Sequence, residues 1–307
     1  MSVHARFVNL CTMSLFIMAV SSVLSLPVQA QPSVEQINSP KNHLQGDLQH
    51  YPQRIISLSP HTTELVFAAG GGDRLIGVSA YSDYPDAAKA LPIVASSQQI
   101  NIETILALEP DMIIYWQQGN SAADIKQLKK FGIPVYASKT GGLDDIGIQI
   151  QRLGRMLGTE SIAEPVSEKY RQALAALRTK YKQNPQQDLF YQVWPTPLMT
   201  VANDPWLQQQ FQLCGFNNVF NDSPVPYPVI NVEQVLVKQP AVIIAGSVND
   251  AELAQWQTWE SIPAVKNGNI FRVNPDVSHR FSPRVVQGIE TLCKIALQAQ
   301  KNINKHL

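Results

Sequence analysis

The sequence repeats itself once, at long range. Asn101-Ile-Glu103-Thr-Ile105-Leu106-Ala-Leu-Glu-Pro110-Asp-Met-Ile113-Ile114 is echoed 130 positions later (231 − 101) by Asn231-Val-Glu233-Gln-Val235-Leu236-Val-Lys-Gln-Pro240-Ala-Val-Ile243-Ile244. Asn, Glu, an apolar pair, Pro and a closing Ile-Ile recur in register. A spacing this long is not the short period of a solenoid. It implies one α/β unit used twice, and so two lobes of similar construction.

Each copy has a local physical reading. Asn is a good N-cap, because its side-chain oxygen accepts from an amide of the first helical turn. Glu two positions on sits at the positive end of the helix dipole. Pro110 and Pro240 end the helices, since proline cannot continue the hydrogen-bond ladder. Met112–Tyr115 and Val242–Ala245 then read as short strands buried on both faces, as parallel strands are. Helix capping is the plain account of Glu103 and Glu233. The functional account is a matched pair of exposed acids, one per lobe, for a two-fold partner.

Residues 1–30 look like a secretory signal: His4 and Arg6, an apolar core from Leu10 to Leu26, and Val28-Gln-Ala30 as a cleavage site. Cys11 lies inside that core and is badly placed for lipidation. Cleavage at Ala30 would leave 277 residues (307 − 30) and two cysteines, Cys214 and Cys293. In an exported protein two cysteines favour one disulfide, here tying the region after Trp206 to the last helix and worth roughly 3–5 kcal/mol. Two buried free thiols are the alternative. Residues 31–53 are polar and read as a flexible lead-in. With 24 basic and 24 acidic residues, and no Lys/Arg run, nothing points to nucleic acid or an anionic membrane surface.

Strands expected at Arg54–Leu58, Leu75–Val78 and Ile133–Tyr136 alternate with helices at Thr62–Ala69 and Ser121–Phe131. That pattern means parallel sheet and α/β architecture. Helices are predicted over Asp144–Leu157 and Ala163–Tyr181, the second amphipathic through Tyr170, Leu174, Leu177 and Tyr181. Further along come a strand at Phe190–Val193, a helix at Gln208–Leu213, a segment at Trp256–Glu260, a strand at Ile270–Val273 and a last helix from Pro283 to about Gln300. The domains expected are an N-terminal lobe at 54–143, linking helices at 144–186 and a C-terminal lobe at 187–307. The fold class is α/β: two parallel-sheet lobes joined by a long central helix, with a ligand cleft between them.

Enzyme signatures are weak. Gly70–Gly72 follows a helix rather than a strand, so it reads as a helix stop, not a phosphate cradle. No Gly-x-Ser-x-Gly elbow occurs. Ser59, His61 and Glu64 are neighbours in sequence, and strand exit and helix entry account for them. The scattered histidines lack metal-ligand spacing, so neither a catalytic residue nor a metal site is assigned. Aromatic residues placed in loops carry more. Tyr81–Pro85, Tyr115-Trp116, Trp194–Pro197, Pro226–Pro228 and Asp276–Phe281 all fall after strands, where open α/β sheets put ligand crevices. Tyr and Trp there suit a bulky planar ligand.

Through Arg54-Ile-Ile-Ser-Leu-Ser-Pro60, Thr63-Glu64-Leu65, Gly77-Val78-Ser79, Tyr81-Ser-Asp-Tyr-Pro85, Val225-Pro-Tyr-Pro228, Glu233-Gln-Val-Leu236 and Ser282-Pro-Arg284, the chain resembles periplasmic substrate-binding proteins of ABC importers. The class is the one with two lobes joined by a long helix, and within it the cobalamin (vitamin B12) binders are most similar. The resemblance covers Arg54 to Gln300. It implies that Glu103 and Glu233 dock onto arginine-lined sites of a permease dimer. It also implies a corrin ring clamped by Tyr81, Trp116 and Tyr227, with Asp276, Val277, Ser278, His279 and Arg280 bonding its amide fringe. Cys214 and Cys293 match the family's disulfide positions. Ser97 departs from the tryptophan of close cobalamin binders, and Val277-Ser-His-Arg280 departs from an aromatic-plus-acid version. The expectation is a non-enzymatic periplasmic receptor, monomeric when free, with cobalamin as cargo and no cofactor. Its rivals are haem or ferric-siderophore capture on the same fold, with Tyr81 or His279 as an axial haem ligand, and a secreted α/β hydrolase using Ser59.

Overall fold

A computed structural model describes residues 51–139, 141–249 and 251–305. The signal segment at 1–30, Cys11 and the lead-in up to residue 50 lie outside the described residues. The chain divides into two units, Met1–Leu48 and Gln49–Leu307, and the second carries every element below.

The first lobe runs β1 (Ile55–Ser57), α1 (Pro60–Ala68), β2 (Leu75–Ser79), β3 (Ile93–Ala95), α2 (Ile102–Ala107), β4 (Met112–Trp116), α3 (Ala122–Lys130) and β5 (Val135–Ser138). Its five strands are all parallel, in the order β3-β2-β1-β4-β5. Two helices follow, α4 (Asp145–Leu157) and the 22-residue α5 (Glu160–Tyr181). The second lobe comprises β6 (Gln187–Pro195), β7 (Leu198–Thr200), α6 (Pro205–Cys214), β8 (Phe216–Asn218), α7 (Val232–Lys238), β9 (Val242–Gly246), α8 (Ala251–Ala254), α9 (Pro263–Lys266), β10 (Ile270–Val273), α10 (Pro275–Ser278) and α11 (Val285–Lys305).

The second sheet is mixed rather than purely parallel. β10, β9 and β6 are parallel neighbours, and β6 is long enough to take two partners on its other edge. β8 pairs parallel with its first residues, and β7 folds back antiparallel along its last. The strand expected to stop at Val193 continues to Pro195 and turns through Thr196-Pro197. Helix ends also move. α6 begins at Pro205 because Asp204 accepts from the Leu207 amide at 2.8 Å, an N-cap followed by proline at the first helical position.

The repeat is legible in the backbone. Asn101 accepts from the Thr104 amide at 3.0 Å and Asn231 from the Gln234 amide at 2.9 Å. Each copy then closes in a left-handed residue just before its proline, Glu109 at φ 47° and Gln239 at φ 46°. Each sends its strand, β4 or β9, in beside the opening strand of its lobe, β1 or β6.

One core joins the lobes. Ile55, Leu65 and Ile114 of the first lobe share a buried cluster with Tyr170, Leu174 and Leu177 of α5 and with Leu189, Ile244 and Leu292 of the second. Separate smaller cores fill the outer faces of the two sheets. α4 lies tight on α5: a Cβ on Gly154 would collide with that of Ala163, and Ser167 Oγ donates to the Gly147 carbonyl at 2.9 Å. Cys214, at the end of α6, and Cys293 of α11 form a disulfide with Cα atoms 4.5 Å apart.

Candidate functional site

Where the carboxyl ends of the strands face each other, the lobes enclose a cavity of about 230 Å³. Ser59–His61 and Trp116 form its wall on the first lobe; Asp204, Trp206, Tyr227 and His279–Phe281 form it on the second.

Local sequence puts each of these side chains in place. Trp116 is the last residue of β4. Its amide donates to Asn120 Oδ1 at 2.7 Å, while Asn120 Nδ2 donates to the Leu58 carbonyl at 2.9 Å, which pins the ends of β4 and β1 together. Ser59 caps α1 by accepting from the Thr62 amide, and so His61 enters the wall on the first turn. Its ring meets Trp116 edge-on, centroids 5.4 Å apart. Opposite, Tyr227 Oη donates to Asp204 Oδ2 at 2.8 Å, the carboxylate whose other oxygen caps α6. Burial, then the Asp204 charge, pushes the Tyr227 phenol up. His279 Nε2 lies 2.8 Å from Tyr191 Oη. Burial pushes His279 down to about 4 and His61 down to about 3, so both rings are neutral at pH 7.

Behind the cavity is an ion cluster that crosses the lobes. Arg280 Nη1 donates to Asp83 Oδ1 at 2.7 Å and to Glu64 Oε1 at 3.2 Å, and Nη2 to Asp276 Oδ1 at 2.6 Å. Arg284 grips the same Glu64 through Nε at 2.8 Å and Nη2 at 2.5 Å. Its guanidinium lies 4.0 Å from the centroid of the Tyr84 ring. The Glu64 side chain is 2% exposed, so these partners compensate a carboxylate taken out of water. Hydrogen bonding to Arg280 holds the Asp83 carboxyl below the usual carboxylate range.

The residues singled out from the sequence fall into three groups. Trp116, Tyr227, His279 and Arg280 meet on the cavity. Tyr81 does not line it: it is 77% exposed on the loop after β2, at φ 64°, two residues before Asp83. Ser82 anchors that loop, its hydroxyl accepting from Thr63 at 3.0 Å and its amide donating to the Ser79 carbonyl. A non-glycine residue in left-handed backbone costs on the order of 1 kcal/mol, strain that tends to collect at binding sites. Asp276, Val277 and Ser278 belong to α10, behind the wall. Asp276 is committed to Arg280, and Ser278 is fully buried with its hydroxyl on the Asn274 carbonyl. Trp194 is 59% exposed and Ser97 is exposed on the loop after β3; neither lines the cavity. Glu103 and Glu233 are exposed, and neither side chain makes a hydrogen bond or ion pair among the described residues. Glu233 borders a groove of about 560 Å³ that includes Val229 and Val237, the latter 82% exposed.

Sequence reasoning passed over Asp204 and Trp206, and gave His61 and Glu64 a helix-entry role alone. Asp204-Pro205 is an N-cap signature beside a tryptophan, and its second oxygen is the one Tyr227 uses. Ser59, His61 and Glu64 do perform the strand exit and helix entry ascribed to them. They also supply the cavity wall and the ion cluster. Among the described residues no three His, Cys, Asp or Glu side chains gather as metal ligands, and no helix is long and apolar enough to cross a membrane.

The profile of the periplasmic binding protein family matches residues 55–277. The vitamin B12-binding protein of Vibrio cholerae is 42% identical over 250 residues, 81% of this chain and 91% of that protein. The crystal structure of the periplasmic vitamin B12 binding protein BtuF of Vibrio cholerae superposes with a TM-score of 0.78 at 41% identity, covering 81% of this chain and 98% of that one. A periplasmic haem-binding protein of Pseudomonas aeruginosa reaches 0.69 at 24% identity, covering 79% and 91%, a likeness of fold alone.

Proposed function

The chain belongs to the periplasmic binding protein family, and on that premise we propose that it captures cobalamin in the cleft between its lobes and delivers it to an inner-membrane permease. The observation that carries this reading is the pairing of Trp116 and Tyr227 from opposite lobes on one cavity, with neutral His279 and the Arg280 guanidinium on the same wall as Tyr227. Flat aromatic faces suit a planar macrocycle, and hydrogen-bonding groups suit its amide fringe. The relatives named for vitamin B12 support it at identities where the haem-binding neighbour supports only the fold.

A corrinoid is several times larger than 230 Å³. The ring therefore sits at the mouth of the cavity, and the rim turns outward to meet it. Tyr227, 44% exposed on the wall, and Tyr81, 77% exposed on the loop that carries Asp83, are the aromatic faces the reading assigns to it. The core that runs through α5 limits how far the lobes themselves part.

The rival hydrolase has little to work with. Ser59 Oγ lies 3.1 Å from His61 Nδ1. Burial makes that imidazole a poor base, and no carboxylate bonds its other nitrogen. Glu64 is held by two arginines. The chain is thus read as a receptor, not an enzyme.

Delivery assigns Glu103 and Glu233 to arginines of a dimeric permease, one acid per lobe. Charge pairs of this kind set orientation and encounter rate more than affinity. Export through the 1–30 signal would place the monomer in the periplasm. Intrinsic tryptophan fluorescence tests the ligand reading: cyanocobalamin should quench it saturably at one equivalent, and W116A should weaken binding at least tenfold. Unchanged binding by both W116A and Y227A would remove the cavity from the account.

A further inference from the structure

His61 is 6% exposed, sits on the first turn of α1 and lines the interlobe cavity. Its Nδ1 lies 3.1 Å from Ser59 Oγ, and its Nε2 is sealed from solvent with no hydrogen-bond partner. The Thr62 hydroxyl donates to the Ser59 carbonyl at 2.9 Å and accepts from the Ser59 amide at 3.2 Å. Its one remaining lone pair is contested by the Ser57 and Ser59 hydroxyls, at 2.7 and 2.8 Å. Given to Ser57, the nearer, it leaves the Ser59 proton to His61 Nδ1, and a neutral imidazole that accepts at Nδ1 carries its proton on Nε2.

His61 Nε2 is a buried polar atom with no partner, a state that folded proteins rarely keep. The edges that close over the ring are Trp116, at 5.4 Å, and Phe281, at 6.2 Å, and Trp116 is the residue a bound ring would displace. We infer that His61 carries its proton on Nε2, that this N–H is a donor held for the ligand, and that it meets an amide oxygen of the corrinoid fringe once Trp116 turns. This rests on the cobalamin reading above and adds to it a contact residue from the first lobe. The same proton placement leaves Nε2 no lone pair for the ligand's metal.

The test is calorimetric titration of cyanocobalamin into wild type, H61F and H61Q, with melting of the ligand-free proteins alongside. Phenylalanine keeps the aromatic edge contacts and removes the donor. H61F should bind about three- to tenfold more weakly, yet melt at or above the wild-type temperature, because an orphan donor has gone. H61Q, whose amide donates, should recover most of the affinity. H61F binding as tightly as wild type overturns the inference while leaving the ligand reading intact. Wild type that fails to bind overturns the ligand reading itself. Should H61F not fold, imidazole nitrogen-15 spectra of wild type decide. The Nε2 proton should shift downfield on binding, and an unmoved proton overturns the inference. A visible-band shift of aquocobalamin on wild type that H61Q abolishes would mean metal ligation, and would overturn it too.

Discussion

Glu64 of α1 and Arg284, at the head of α11, meet in a bidentate ion pair across the lobes, Nε on one carboxylate oxygen at 2.8 Å and Nη2 on the other at 2.5 Å. Arg280, four residues earlier, shares that carboxylate and also forms part of the cavity wall. The joint between the lobes and the wall of the cleft are thus one piece of chemistry. A ligand that bonds Arg280 competes with Asp83 and Glu64 for its donors.

Removing one partner from a buried ion pair leaves the other charge uncompensated. E64Q should destabilise the fold by about 3–5 kcal/mol, read as a lowered urea midpoint. A double variant, E64Q with R284M, should recover part of the loss. An E64Q midpoint equal to wild type would mean the cluster contributes nothing to the joint.

Stability should fall as pH drops below about 6. His61 and His279 are neutral in the fold, pushed down to about 3 and about 4 from an ordinary 6.5. Through that window the unfolded chain takes up protons that the folded chain refuses. Each histidine therefore adds a slope of up to about 1.4 kcal/mol per pH unit. Asp83 and Asp144, held low by hydrogen bonds from Arg280 and Arg178, stabilise the fold above their ordinary 3.8, and this is lost as pH falls through their lower folded values. Urea midpoints at pH 7.5, 6, 5 and 4 check the trend, and H61F should flatten it.

The disulfide spans 79 residues. On the chain-entropy argument, replacing both Cys214 and Cys293 by alanine should cost about 4 kcal/mol. Melting of the double variant against wild type measures it. Because Cys214 and Cys293 are fully buried behind the second sheet, ligand affinity measured well below the melting temperature should hardly change.

E103A combined with E233A should leave cobalamin binding unchanged and abolish delivery to permease reconstituted in vesicles. Loss of binding in solution would instead place the two acids in the pocket or the fold.

The lobes, the spine and the repeat were legible because each leaves a local mark: an Asn cap, a Pro stop, apolar strands and an amphipathic stripe from Tyr170 to Tyr181. Three-residue β3, β7 and β8 leave none, since so few residues carry no period. Trp116, Tyr227, His279 and Arg280 could be picked out as loop residues after strands. His61 and Glu64 could not, because local helix entry already explained them, and Asp204 could not, because the helix it caps is expected to begin only at Gln208. Their second role depends on Tyr227, Trp116, Arg280 and Arg284, residues brought near only by folding. Arg280 was expected at the ligand, but its neighbours Asp83 and Glu64 turn it into a tie between lobes as well.

Calorimetric titration of the exported chain with cyanocobalamin, and separately with haem, tests the central claim most directly. The account predicts one tight site for cyanocobalamin, weakened by W116A and Y227A, and far weaker binding of haem. Tight haem binding with no response to cyanocobalamin would contradict it.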